Sequence, residues 1–222
     1  LVEEDPASTI RFNSLIYSGI FNSRTGINDT NVFSVGTDIT KSVNPAHGSI
    51  QKLYAEDTNL IIFQESKVSR ALIDKDAIYS AEGGQISTVG NVVIGPVTAY
   101  AGDFGISRNP ESFAIYGRRK YFTDKNRNVL LRLSSDGLTE ISNYGMSDFF
   151  RDELSILNGN ASTSTGKAVG AWDIHSRQYT LSLQKYVAPG SPQVFKTISF
   201  DDSVNGFPSF FDYAPDHGDS IK

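Results

Sequence analysis

Asp201, Ser203, Asn205 and Gly206 stand at positions 1, 3, 5 and 6 of a calcium-loop spacing, with Ser209 at position 9 and Asp212 at position 12. Oxygen donors at alternate positions around a glycine-enabled turn are what a hard cation takes. Pro208 interrupts the loop, the last donor is Asp rather than Glu, and the flanks read as strands. The plainer reading is a polar hairpin turn over residues 202–206, between Ile198-Ser199-Phe200 and Ser209-Phe210-Phe211. Paired carboxylates would support glycoside hydrolysis if two of them faced each other across a groove. Glu65, Asp74, Asp76, Glu82, Asp124 and Asp173 are all candidates, and nothing in the sequence selects a pair. Tyr100, Tyr116 or Trp172 would supply sugar stacking, which for Trp172 requires an exposed ring.

Other chemistries find less support. The three histidines, His47, His175 and His217, fall in turn-like or terminal segments without metal-ligand spacing. No Gly-x-Ser-x-Gly elbow is present, and Ala101-Gly102-Asp103-Phe104-Gly105 lacks the Lys-Ser/Thr that completes a phosphate loop. Zero cysteines exclude disulfides, thiolate metal sites and a Cys nucleophile. Arg118-Arg119-Lys120 and Lys125-Asn126-Arg127, with Tyr121 and Phe122 between, form a basic-aromatic run that reads as solvated turns. A net charge of −5 argues against a nucleic-acid backbone as partner. No cofactor, metal or catalytic residue is assigned, and the chain is read as a non-enzyme.

These residues sit on short β-branched and aromatic runs broken by Asn, Asp, Gly and Ser. Residues 59–63, 91–94, 129–133 and 178–183 are examples, and such runs predict strands. A single helix is expected, with Phe150, Leu154 and Leu157 on one face, Ser147 as cap, Asp148 in the first turn and Asn158-Gly159 as the stop. No segment reaches the roughly 18 apolar residues of a membrane span.

Self-comparison adds a period. Tyr54, Phe113 and Trp172 recur 59 residues apart, and so do Phe63, Phe122 and Leu181, then Gln64, Thr123 and Ser182, then Lys67, Asn126 and Lys185. Third strands follow at residues 68–73, 129–133 and 194–200. The expectation is an all-β, β-propeller-like repeat of antiparallel blades with a period of about 59 residues. Residues 1–222 form one such domain, with inserts at 82–109 and 142–166. Three copies fall short of the roughly four to eight blades of a closed ring. Either the N-terminal segment at 9–38, with its strand-like Leu15-Ile16-Tyr17 and Val32-Phe33-Ser34-Val35, adds a blade, or the chain is a fragment of a longer protein. Neighbouring subunits are the other source of blades.

Several long segments carry a resemblance. They are residues 44–60, 63–68, 71–79, 121–127, 137–142, 144–152, 172–175, and 199–202 with 209–211. In them the chain resembles large virion structural proteins of tailed bacteriophages, of the cyanophage type and of the tail muzzle type of crAss-like phages. The resemblance covers most of the chain after about residue 30, and it implies a tail component in the virion. Its partners would be other tail proteins and further copies of itself in a homo-oligomeric ring. The alternative is a host-surface carbohydrate-binding or depolymerising tail module. A cellular propeller scaffold is a third possibility if the resemblance is spurious.

Overall fold

The computed structural model describes residues 10–19, 21–34, 39–79, 85–157, 166–185, 192 and 194–218. Glu82 and the helix stop expected at Asn158-Gly159 lie outside them, as do the side chains of Asp74 and Asp76. The fold is all-β, with one α-helix among the described residues. Four short strands come first: β1 (Ser14–Ile16), β2 (Phe21–Asn22), β3 (Ile27–Asn28) and β4 (Thr40–Ser42). They pair as two small antiparallel sheets, β1 with β4 and β2 with β3. The N-terminal segment is therefore not a four-stranded blade, and Val32-Phe33-Ser34 is not a strand.

Three four-stranded antiparallel meanders follow, each with its strands adjacent in sequence order. The first contains β5 (Ile50–Glu56), β6 (Asn59–Gln64), β7 (Val68–Tyr79) and β8 (Gln85–Ala99). The second contains β9 (Ala114–Tyr116), β10 (Arg119–Asp124), β11 (Val129–Ser134) and β12 (Gly137–Glu140). The third contains β13 (Lys167–Asp173), β14 (Gln178–Lys185), β15 (Val194–Asp201) and β16 (Gly206–Phe211). Residues 85–99 of the stretch 82–109 are thus the fourth strand of the first blade.

The blades stack face to face, so their second strands are buried on both faces, with Thr180, Ser182 and Gln184 of β14 as buried polar residues between its apolar ones. In β10, Phe122 joins Ile61, Phe63 and Val68 of the first blade, while Tyr121 on the other face joins Trp172, Tyr179 and Leu181 of the third. Helix α1 (Ser147–Ile156) closes the second junction with Phe150, Leu154 and the following Leu157, all fully buried. Ser147 is the first helical residue and not the cap: Met146 takes the cap position, and the Ser147 hydroxyl donates to Asn143 Oδ1 at 3.0 Å. On the far face of the first blade, Ile62 and Ala71 pack on Leu15 and Val43 of the N-terminal segment. The far face of the third is crossed by residues 213–216. There Tyr213 O accepts from Thr197 Oγ1, and Pro215 O accepts from Gln184 Nε2, each at 2.6 Å.

An offset of 59 keeps the side-chain facing only between the second and third blades. Phe113 and Trp172 both face the preceding blade, as do Phe122 and Leu181, whereas Tyr54 and Phe63 face the following one. Strand pairing gives the reason. Glu56 pairs with Asn59 and Tyr116 with Arg119, an offset of 60. A one-residue slip turns every side chain to the other face. Sixty residues before Phe122 stands Ile62, which does face backwards. The turn after β13 is longer, since Asp173 pairs with Gln178.

Candidate functional site

The first-to-second and third-to-fourth strand turns of a meander lie at one edge of the sheet. At this edge the chain uses two turn designs. Asp57 (φ +50°) and Gly117 (φ +57°) open two-residue turns, whose first position favours the left-handed region. Four-residue turns follow Asp173 and Asp201, and another, at the opposite edge, follows Asp124. Each places its last residue in the left-handed region: Asn128, Arg177 and Asn205. In each, the leading carboxylate accepts the amide two residues on, from Asn126 (3.0 Å), His175 (2.8 Å) and Ser203 (2.7 Å). The calcium-like spacing is this turn. The Asp201 carboxyl is held below its usual range by the Ser203 hydroxyl and amide. Asp212 lies beyond the far end of β16 and does not converge on it. Among the described residues no three His, Asp or Glu side chains come together as a metal site.

Asp202, the next residue in that turn, reaches across to the second blade. Its Oδ2 accepts from Arg119 Nη1 at 2.9 Å and from the Tyr121 hydroxyl, and its Oδ1 from Arg132 Nη1 at 2.8 Å. Asp202 and Arg132 are mostly buried, so the pair is little screened by solvent. Burial, then the hydrogen bond to Asp202, pushes the Tyr121 hydroxyl far up, so it remains a donor. The first junction is bridged similarly by Lys120, buried, whose Nζ meets Glu56 at 2.5 Å.

Beside Asp202 runs a ladder of rings. Tyr116 stacks on Trp172 (4.2 Å, 9°), Trp172 on Tyr121 (5.5 Å), and Tyr121 on Tyr179 (5.0 Å). Tyr116 is 47% exposed and Trp172 only 9%. Shallow clefts flank this edge, one of about 510 Å³ over the second blade's turns and one of about 410 Å³ at its junction with the third. Tyr116 and Arg119 border both.

The other acids named from the sequence serve as acceptors for loops. Glu65 takes the Ser49 hydroxyl (2.6 Å) and amide (3.1 Å) and Arg108 Nε (3.2 Å). Asp124 takes Gly105 N–H (3.0 Å) and Ser107 Oγ (2.8 Å) besides its own turn. Asp173 is occupied by His175 N–H and Ser176 Oγ, which outweigh burial and lower its pKa. Arg118-Arg119-Lys120 and Lys125-Asn126-Arg127 stand at opposite ends of β10 and do not form one patch. Arg132 and Asp202 escaped the sequence reading as partners. They are 70 residues apart, and no local pattern links a strand arginine to a distant turn aspartate.

No known protein family's sequence pattern matches the chain, and no curated protein is detectably similar to it in sequence.

Proposed function

We propose that the chain is a structural component of a tailed-phage virion, part of the tail, and that it works by protein–protein assembly and not by catalysis. The observation that carries the assembly reading is the N-terminal segment. Of the 15 large apolar side chains exposed among the described residues, seven belong to residues 10–33, among them Ile10 (92%), Phe12 (52%), Phe21 (57%) and Phe33 (51%). Apolar side chains exposed in such density mark an interaction surface. The long-segment resemblance supplies the particle, and the stacked blades, each junction locked by an ion pair, suit a rigid building block. In this reading the blades form a propeller-like stack whose two outer faces are covered within the chain, and partners join through residues 10–33 instead of adding blades.

Sedimentation velocity across a concentration series, with and without disrupted particles, tests it. The wild-type chain associates, with itself or with particle components, and the triple variant Phe12→Ser, Phe21→Ser, Phe33→Ser does not. A wild-type chain that stays monomeric in every mixture contradicts the reading. The carbohydrate alternative loses Trp172 as a stacking platform, since that ring lies between sheets.

A further inference from the structure

We propose that the cleft over the turns of the second blade binds an acidic sugar unit, its ring on the free face of Tyr116 and its carboxylate on Arg118. This site is separate from the apolar N-terminal surface and does not depend on the assembly role.

The argument starts from the ring. Trp172 covers one face of Tyr116 at 4.2 Å with the planes 9° apart, and Trp172 is itself backed by buried Tyr121. Tyr116 is therefore fixed in orientation, yet 47% exposed. It also borders the 510 Å³ cleft, to which Trp172 does not contribute. A rigid ring with one open face is a platform for the apolar face of a pyranose, and the volume is within the range of small-molecule sites.

Charge decides which sugar. Three arginines, Arg118, Arg119 and Arg132, line the cleft against one acid, Asp136, and Arg118 also borders the neighbouring cleft that holds Glu56 and Asp57. Asp136 accepts the hydroxyl of Ser134, and Arg119 and Arg132 are held by Asp202. Arg118 is exposed, and its guanidinium has no partner among the described residues. The buried Nε of Arg132 also lacks an acceptor. Arginine with free donors beside a ring matches a carboxylate attached to a sugar, because the guanidinium can hold both oxygens. No aliphatic side chain lines the cleft. An acidic peptide would bring apolar neighbours with no wall to meet, and a free inorganic anion would make no use of Tyr116.

Isothermal titration of the whole chain with uronate tetrasaccharides (galacturonate, glucuronate and mannuronate), the matched neutral tetrasaccharides and inorganic phosphate tests the proposal. At least one uronate binds ten times more tightly than its neutral counterpart, and more weakly as salt rises. Arg118→Gln and Tyr116→Ala each weaken that binding tenfold or more. The circular dichroism and melting temperature of Arg118→Gln stay those of wild type, because the residue is exposed. Binding also shifts the emission of the single tryptophan, Trp172, through its stacked neighbour. No binding of any uronate, phosphate binding as tightly as the uronate, or an Arg118→Gln protein that binds like wild type would each overturn it.

Discussion

Asp202 illustrates how one side chain can decide whether two sheets stay docked. Two guanidinium groups and a phenol from the second blade converge on it, and removing it strands all three. Asp202→Ala is expected to destabilise the fold by about 2–3 kcal/mol, below the usual cost of breaking a fully buried pair because Arg119 is half exposed. Arg119→Ala should cost less than 1 kcal/mol, for the same reason. Thermal denaturation of both variants checks the order. Glu153 carries a pH dependence. Burial opposes its ionisation, but the hydrogen bond from Lys196 and the ion pair with Lys185 prevail and hold its pKa below the usual glutamate value. A carboxyl depressed in the folded state stabilises above its unfolded pKa, and that contribution is lost as pH falls through the folded value. Glu153→Gln should therefore melt below wild type at pH 7, and the gap should shrink steadily as pH is lowered from about 5 towards 3. A gap that is constant with pH would refute the charge explanation.

At the scale of elements, close approach sets tolerance. A Cβ on Gly170 of β13 would come within 2.1 Å of Ser112 O, the carbonyl that accepts the Tyr179 hydroxyl. Gly170→Ala is expected to cost about 1–3 kcal/mol by forcing the third blade from the second. Phe150→Ala in α1 should cost about 3–5 kcal/mol by leaving a cavity at the same junction. Denaturant titration of the two variants measures both. The same elements show what a sequence reader can find. Strands such as residues 59–64 and 178–185 were legible from β-branched and aromatic runs, and the helix from Phe150, Leu154 and Leu157. The facing of Tyr54 was not. Turn length governs it, and a slip of one residue between copies is invisible when both faces of a buried strand are apolar. The recurring Asp turn was written in the sequence at Asp124, Asp173 and Asp201, but its identity lies in the left-handed backbone at Asn128, Arg177 and Asn205. The calcium-loop likeness arose from that backbone requirement. Asp202 with Arg132 was out of reach, because only stacking of the blades brings them together.

For the whole molecule, the covered ends of the three-blade stack contrast with the apolar side chains left open on residues 10–33. The outer sheet faces are covered within the chain, and in the proposed reading the surplus apolar surface is where partners bind. A virion component must assemble irreversibly enough to survive purification of the particle, and a free-standing binding module need not. Mass spectrometry of gradient-purified phage particles, combined with chemical cross-linking, tests this most directly. The account predicts peptides of this chain in the particle at a stoichiometry of several copies, with cross-links from Lys41, next to the apolar segment, to other tail proteins or to a second copy. Particles that are infectious and free of the chain would contradict it.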